Sequence, residues 1–268
     1  MATVMRVIDF GEVSPLRSQT LWHAIAYGVS AGSPPTLSFM RPSHPYVSIG
    51  FHRRLGELDL EWCRATGLPV FRRMVGGGPV YLDAGQHFFQ ISVPEALTKG
   101  TRTQTIRSLL TPAVEAFRSV GIDAHLDEHS EISVGPAKIC GHAAGQIGSA
   151  VVVVGNLITS FDHQAAARII ATPTPTFAKA YLRLMKEYVR ATPADPEAFR
   201  AAATESYANE LGLVPEPGVM TEHELVRLDE LDMQFQEMEW LEGSPAPVPT
   251  SVKVRAGVSL SFTATEEI

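Results

Sequence analysis

Cysteine is scarce in this chain, which has only Cys63 and Cys140 among its 268 residues. Two cysteines cannot build the disulfide framework of a small secreted domain, and their spacing shows no zinc-binding pattern. A run of apolar residues long enough to span a bilayer is also missing. Acidic residues outnumber basic ones, and the formal net charge is −7. This balance argues against a nucleic-acid partner that is recognised through bulk electrostatic attraction.

The N-terminus lacks the basic segment and apolar core of a signal peptide, so no secretory signal is expected. Internal repeats and low-complexity segments are missing as well. These absences favour a cytoplasmic enzyme with neither a membrane nor a nucleic-acid partner. At 268 residues, the chain can bury a substantial core as one large domain, or as one domain with a small appendage.

Strands and helices alternate along most of the chain. The clearest helix is predicted for residues 101–120, where apolar residues recur at helical spacing and Gly121 marks the end. The run Ala150–Val154 is apolar throughout, as is typical of a central strand buried on both faces, and a separate strand is predicted over Asn156–Phe161. Alternating apolar residues predict a lone final strand over Ser251–Phe262. This interleaving indicates an α/β or α+β sheet domain.

A glycine-rich stretch between two apolar runs is the most distinctive local feature. Arg72 and Arg73 end the first run, residues 76–78 are all glycine, and the second run begins at Val80. Glycine admits positive φ and lets a ligand approach the main chain, so backbone N–H groups in such a turn can point at an anion. Arginine adds positive charge and forked donors. A plain hairpin turn with solvated arginines is the alternative interpretation.

A second segment, Ala137-Lys138-Ile139-Cys140-Gly141, places a lysine in an apolar context. In this order the two segments resemble the motifs of the lipoate–protein ligase family, within the larger group of biotin and lipoate ligases and octanoyltransferases. The residues that match the first motif are Arg72, Arg73, Gly76, Gly77, Gly78, Val80, Tyr81 and Asp83. The residues that depart from it are Met74 and Val75 at two hydroxyl positions, Pro79 at a small-residue position and Leu82 at a histidine position. Lys138 to Ala143 fits the lysine motif, and weaker similarities extend the resemblance over nearly the whole chain.

The resemblance implies the catalytic domain of a lipoate–protein ligase, a mixed β-sheet flanked by helices, over residues 1–245. Residues 246–268 would form a C-terminal strand and tail, where an accessory domain begins in some family members. Such enzymes activate lipoate or octanoate with ATP and Mg²⁺ to an acyl-adenylate. They then transfer the acyl group to a lysine of a carrier, either a lipoyl domain or a protein like the glycine-cleavage H protein.

The early end of the chain makes a separately encoded accessory domain an expected partner. The chain alone is expected to be a monomer that uses ready-made lipoyl-AMP better than free lipoate. One strand beyond the catalytic domain would leave unpaired backbone groups, so it is expected to pair with the main sheet or with another chain.

The resemblance also implies the site residues. Lys138 would be the catalytic residue that reaches both the acyl carbonyl and the α-phosphate. The residues implied to bind ATP or lipoyl-AMP are Arg72, Arg73, Gly76, Gly77, Gly78, Pro79, Val80, Tyr81 and Lys138. For Arg72, bracing of its strand is an equal alternative. No metal ligand is assigned, and the nearby histidines His87, His129 and His142 are expected to be hydrogen-bonded structural residues.

Two other functions stay open. An octanoyltransferase would need a nucleophilic cysteine well before or well after the motif lysine, and neither 127–131 nor 171–176 contains one. Cys140 would project to the same strand face as Lys138, although a small buried cysteine is the preferred interpretation. The third function is a non-catalytic relative that binds an acyl chain or a carrier domain. The apolar Met74 and Val75 suit an acyl chain better than the ureido ring of biotin, which needs hydrogen-bond partners.

Overall fold

The structure, a computed structural model, describes residues 4–243 and 251–261. Its strands are β1 (Val4–Val13), β2 (Thr36–Pro42), β3 (Tyr46–Ile49), β4 (Val70–Arg72), β5 (Val80–Leu82), β6 (Gln86–Pro94), β7 (His125–Leu126), β8 (Ile132–Val134), β9 (Ala137–Cys140), β10 (His142–Ile147), β11 (Ala150–Ile158), β12 (Val214–Pro217), β13 (Ser251–Arg255) and β14 (Val258–Ser261). Its α-helices are α1 (Pro15–Gly28), α2 (Leu60–Ala65), α3 (Arg102–Ser119), α4 (His163–Arg168), α5 (Pro175–Tyr188), α6 (Pro196–Leu211), α7 (Glu222–Gln234) and α8 (Met238–Glu242). Short 3₁₀ helices occupy Leu55–Glu57 and Glu95–Leu97.

A six-stranded mixed sheet, in the order β10-β11-β6-β2-β1-β12, forms the centre of the fold. β1 runs parallel to β2 and β12, whereas the pairs β2–β6, β6–β11 and β11–β10 are antiparallel. Helices α3 and α6 cover one face, where Phe117 and Phe199 pack over Phe89. Helix α1 covers the other face, and α7 packs on α1 through Leu231. The α/β (α+β) fold with a mixed sheet flanked by helices is therefore confirmed.

Smaller sheets carry the two sequence motifs. In the first, β3 lies between a parallel β4 and an antiparallel β5. The chain from β4 to β5 must therefore cross the end of β3, and the three glycines lie in this crossing. In the second, β9 carries Lys138 and pairs with β8, which pairs with β7. The backbone of β9 is also held from outside its sheet, since Arg190 N–H donates to Lys138 O at 2.9 Å.

Local sequence signals set the bounds of several elements as predicted. Helix α3 begins after Thr101, which forms a capping box with Gln104, so the helix predicted for 101–120 is confirmed. Strand β11 is buried along its length and lies second in the main sheet, as its apolar run indicates. None of the helices among the described residues is long and apolar enough to cross a bilayer.

Two strand predictions were wrong. Asn156 does not begin a new strand, because β11 runs without a break from Ala150 to Ile158. Gly155 within it makes room for the Phe89 ring, which a Cβ would approach to 2.3 Å, and so marks close packing instead of a turn. The lone final strand is a hairpin, since Gly257 takes a φ of 75° and turns β13 back into β14. The predicted boundary between residues 245 and 246 lies outside the described residues.

Candidate functional site

An apolar cavity lies between α1, the main sheet and the sheet of β3, β4 and β5. It measures about 600 Å³ including its open side. Its lining residues are Ser18, Gln19, Trp22, Ser48, Arg73, Val75, Val80, Leu82, Phe88, Gln90, Lys138, Gly141, His142, Ala143, Val154, Gly155 and Asn156. Both motif segments reach this cavity, through Arg73 and Val80 on one side and Lys138 on the other.

Helix α1 supplies a polar network that sequence patterning missed. Ser18 Oγ and Gln19 Nε2 donate to Tyr46 Oη at 2.8 and 2.7 Å. Ser48 Oγ donates to Gln19 Oε1 at 3.1 Å, and Arg73 Nη1 donates to Ser48 Oγ at 3.3 Å. A chain of side-chain hydrogen bonds therefore links α1 to the glycine loop. The apolar residues of α1 are irregularly spaced, and polar residues are interspersed among them. This mixture was the signal in the sequence that α1 buries polar side chains against a cavity.

Arg73 shapes the glycine loop from inside. Arg73 is 6% exposed, and its guanidinium donates to Gly76 O and Gly78 O at 2.9 Å each and to Ser48 O at 3.0 Å. Gly77 has a φ of 104°, and a Cβ there would lie 2.5 Å from Arg73 Nη2. Burial lowers the pKa of Arg73 to about 10, so the side chain keeps its charge at neutral pH. The loop carbonyls thus face a buried cation at the cavity wall.

Gly50, at the end of β3, sets how closely this loop can approach. A Cβ on Gly50 would lie 2.1 Å from Gly77 O, a distance that no backbone atom tolerates. We expect Gly50→Ala to push the loop outward and to lower the free energy of unfolding by about 1–3 kcal/mol. Gly56→Ala is the matched control, since a Cβ there meets nothing within 4 Å. Thermal unfolding of both variants checks this, and equal midpoints would contradict it.

Met74 and Val75 occupy packed positions where the family motif has hydroxyl residues. Met74 N–H donates to His23 Nε2 at 3.1 Å, which ties the loop to α1. Burial lowers the pKa of His23 to about 3, so the ring is neutral and can accept. Val75 is buried against Trp22 and Ile147. Val75 therefore extends the apolar lining of the cavity, whereas Met74 packs against the neighbouring core residues and does not line it.

Arg72 points away from the cavity. It is 1% exposed and donates to five main-chain carbonyls at 2.7–3.0 Å. These acceptors are the carbonyl oxygens of Gly50, Phe51, Arg53, Leu241 and Glu242. Trp240 Nε1–H donates in turn to Arg72 O at 2.9 Å. This geometry supports the bracing interpretation of Arg72 over the binding role that the resemblance implied.

Lys138 forms an ion pair with a buried carboxylate. Its Nζ lies 2.6 Å from Glu131 Oε2, and the Glu131 side chain is 3% exposed. Burial alone would raise the pKa of Glu131, but the ammonium of Lys138 outweighs burial and holds that pKa below its usual value. Glu131 is therefore charged at neutral pH. Lys138 contributes a positioned cation to the cavity wall.

Beside Lys138, Asn156 organises the start of β10. Its Oδ1 accepts from Gly141 N–H at 2.7 Å and its Nδ2 donates to Gln86 Oε1 at 2.8 Å. Two other lining side chains each have a buried atom without a hydrogen-bond partner among the described residues, Gln90 Nε2 and His142 Nδ1. Burial lowers the pKa of His142 to about 4, and Lys138 adds to this effect, so the ring is neutral. His142 is thus a cavity residue and not the hydrogen-bonded structural residue expected from the sequence.

Neither cysteine lines the cavity. Cys140 is fully buried in the core behind α3, and burial raises the pKa of its thiol to about 12. The register of β8 and β9 shifts between Ile132 and Ser133, and Ile139 and Cys140 both pack in that core. This shift explains why Cys140 does not lie beside Lys138 on one face, as simple alternation predicted. Cys63 is buried too, and burial also raises the pKa of its thiol.

Comparison with known families agrees with this arrangement. A family model described as the lipoyl protein ligase A/B catalytic domain matches residues 15–200, more than half of the chain. The chain belongs to this family. The resemblance noted in the two motif segments is thereby confirmed.

The relatives of this lipoyl ligase family member carry the names of two different reactions. An octanoyltransferase LipM from Kyrpidia tusciae is 25% identical, over 88% of this chain and 97% of its own length. Lipoate-protein ligase A subunit 1 from Thermoplasma acidophilum is 25% identical, over 62% of this chain and 66% of its own. A solved structure of a bipartite lipoate protein ligase from the same organism has a TM-score of 0.82 at 23% identity, covering 90% of this chain and 97% of that one. The last likeness shows the fold, and the family leaves the reaction open.

Within this family fold, the predicted residues fall into three groups. Arg73, Val80 and Lys138 line one cavity together. Gly76, Gly77, Gly78 and Pro79 form the crossing loop beside it, held by Arg73. Arg72 and Tyr81 lie elsewhere, Arg72 under α8 and Tyr81 in the core next to α4 and α5.

No group of three or more His, Cys, Asp or Glu side chains that could hold a metal ion occurs among residues 4–243 and 251–261. The described side chains therefore offer no ready cage for Mg²⁺. In proteins Mg²⁺ is commonly held by one or two carboxylates together with the phosphates of a nucleotide substrate.

Proposed function

We propose that this chain is an ATP-dependent acyl–protein ligase that activates lipoate or octanoate and transfers it to a lysine of a carrier domain. The observation that carries this proposal is Lys138, a charged lysine in the wall of an apolar cavity from which both cysteines are excluded. A site of this kind offers a cation for an anionic head group and a lining for an acyl chain. It offers no thiol for a thioester.

The cavity suits the two ends of such a substrate. Its apolar lining includes Trp22, Val75 and Phe88. Burial contributes about 0.8 kcal/mol per methylene, so an eight-carbon chain would gain about 5 kcal/mol if fully enclosed. The carboxylate would lie toward Lys138 and Arg73, the two cationic side chains in the lining. This direction places the reacting carbon next to positive charge.

The proposed reaction has two steps. A carboxylate oxygen attacks the α-phosphorus of ATP, and pyrophosphate leaves with its electron pair. The amine of the carrier lysine then attacks the acyl carbon, loses a proton, and AMP leaves. Negative charge accumulates on phosphate oxygens in the first step and on the acyl oxygen in the second. Lys138 serves both steps because its ammonium can donate to either oxygen.

A cysteine-dependent acyltransferase is the second candidate, and the relatives named octanoyltransferase LipM favour it. This mechanism requires an accessible thiolate. Cys140 has a pKa of about 12 through burial, and neither thiol reaches the cavity. The third candidate, a non-catalytic binding protein, rested on Met74, Val75 and Leu82. Met74 packs within the loop, and Val75 and Leu82 line the cavity. These three departures from the motif therefore leave both the cavity and Lys138 in place, which favours an enzyme over a non-catalytic binding protein.

We expect Cys140→Ser to keep most of the acyl transfer activity, because the thiol contacts core residues and not the cavity. Its Sγ accepts from Asn156 N–H at 3.4 Å, a bond that a serine hydroxyl can replace. Cys63→Ser is the matched control. Rates are measured at 25 °C beside intact-protein mass spectrometry. Loss of activity in Cys140→Ser, with an acyl-thioester on the wild type, would favour the transferase.

The proposed function is tested by measuring the half-reactions separately. Pyrophosphate release from MgATP with lipoate or octanoate reports activation, and modification of a lipoyl domain or an H-like protein by lipoyl-AMP reports transfer. A third assay supplies octanoyl acyl carrier protein as the acyl donor, without ATP, and measures modification of the same carrier domain. Transfer from lipoyl-AMP supports the ligase, and modification only in the third assay would refute it. Strong transfer with weak activation would support a separately encoded accessory domain that assists activation.

A further inference from the structure

The C-terminal hairpin, β13 and β14, packs against the segment that holds Lys138. Arg255 is 7% exposed, and its guanidinium donates to Pro136 O at 2.6 Å and pairs with the Asp127 carboxylate. Val254 is buried in the core formed with α4 and α5. The hairpin does not extend the main sheet or either small sheet. Its position is instead fixed by packing on α5 and by contacts with the loops around β8 and β9.

The hairpin brings a second lysine to the carboxylate that pairs with Lys138. Lys253 Nζ lies 3.8 Å from Glu131 Oε1, and Ala256 N–H donates to the same oxygen at 3.1 Å. Lys138 Nζ lies 2.6 Å from the other oxygen, Oε2. Two lysines separated by more than a hundred positions in the chain therefore share one buried carboxylate. The hairpin backbone and side chain both take part in this arrangement.

The charges of this cluster do not balance. Arg255 is matched by Asp127, but Lys138 and Lys253 face the single charge of Glu131. Burial lowers the pKa of Lys253, with Lys138 and Arg255 adding to the effect and Glu131 opposing it. Two ammonium groups on one carboxylate leave one positive charge without a partner, and an anion bound beside them would neutralise it. Lys253 is also 56% exposed, so an anion from solvent can reach it.

We propose that Lys253 is a second cation for the phosphate of the acyl-adenylate and that Glu131 is a positioning residue for Lys138. The C-terminal hairpin then belongs to the active site itself. This inference rests on the proposed function, since it names the phosphate of that intermediate as the anion. It also accounts for the direct backbone contact between Ala256 and Glu131, which a mere connection to a further domain would not require.

The test uses the full chain and octanoyl-sulfamoyl adenosine, a stable mimic of acyl-AMP, with binding measured by calorimetry. Lys253→Ala should weaken binding about tenfold, the effect of one charge-assisted contact. Lys179→Ala removes the same charge from an exposed position on α5 and should bind within about twofold of the wild type. Thermal midpoints of the two variants should agree, because exposed ion pairs contribute little.

The Glu131→Gln variant distinguishes a role of Glu131 in positioning Lys138 from a purely structural role. Removing this negative charge should tighten binding of the anionic mimic while the rate constant of pyrophosphate release falls, because Lys138 loses its fixed position. A merely structural role would weaken both. Equal affinity of the Lys253→Ala and Lys179→Ala variants would overturn the inference and leave the proposed function intact. A wild type that binds the mimic but neither releases pyrophosphate nor modifies a carrier would refute the proposed function alone, and one that does not bind would refute both.

Discussion

Lys138→Ala should abolish acyl-adenylate formation, with the rate of pyrophosphate release falling by roughly 10²–10³-fold. The ammonium is one of two cationic groups in the cavity wall, lies 2.6 Å from Glu131 Oε2 and is positioned by the backbone of β9. Arg73 already donates to loop carbonyls, and Lys253 lies at the other oxygen of Glu131, 3.8 Å from it, so neither occupies the position of the Lys138 ammonium. Transfer from ready-made lipoyl-AMP should fall as well, since the same ammonium serves the acyl oxygen. Both half-reactions are measured under saturating substrate.

The control for this prediction must separate chemistry from stability. Removing Lys138 leaves the buried carboxylate of Glu131 without its main partner, which should cost about 1–3 kcal/mol of stability. The double variant Lys138→Ala, Glu131→Gln should recover most of that stability but none of the activity. Substantial pyrophosphate release by either variant would remove Lys138 from the catalytic role.

Stability at acid pH gives an independent reading of the same ion pair. Burial acts to raise the pKa of Glu131, but the Lys138 ammonium outweighs it and the pKa lies below its usual value. A carboxyl with a lowered folded pKa stabilises the protein above its unfolded pKa, and that contribution is lost as pH falls through the folded pKa. Lys138→Ala should therefore show a smaller loss of stability on acidification than the wild type.

Features that depend on a few consecutive residues could be predicted from the sequence. The capping boxes at Thr101 and Thr221 fixed the starts of α3 and α7, and Gly212 ended α6 in the left-handed conformation. The two motif segments pointed to one site, and the structure brings Arg73 and Lys138 to one cavity. Local hydrogen bonds and steric limits determine such features, so a short window contains the needed information.

Features that depend on distant contacts could not be predicted. Nothing near Arg72 in the sequence indicates that its guanidinium binds carbonyls of residues 241 and 242. Likewise, the role of the polar residues of α1 becomes clear only from the hydrogen bonds of Gln19 with Ser48 and Tyr46, which are distant in the sequence. The register shift that turns Cys140 into the core is a property of the β8–β9 pair and not of β9 alone. Each of these placements decides a role in the candidate site.

Substitutions of the two motif arginines are therefore expected to have different effects, on the cavity for Arg73 and on stability for Arg72. Arg73 lines the cavity, whereas Arg72 joins the end of β3 to α8 through five carbonyl acceptors. Buried carbonyls that lose a charged donor keep their desolvation cost without compensation. Such a loss acts on folding and not on the chemistry of the cavity.

Arg72→Ala should lower the free energy of unfolding by about 3–5 kcal/mol, which corresponds to a fall of roughly 10 °C in the thermal midpoint. Arg72→Lys should rescue little, because one ammonium cannot reach acceptors spread around a planar fork. Arg64→Ala, at an exposed position on α2, is the matched control and should change the midpoint by less than about 2 °C. At a temperature where all variants are folded, Arg72→Ala should still bind the acyl-adenylate mimic, because the Arg72 guanidinium donates to the carbonyls of Leu241 and Glu242 and does not line the cavity. A stable Arg72→Ala variant that fails to bind would instead restore Arg72 to the binding role implied by the motif.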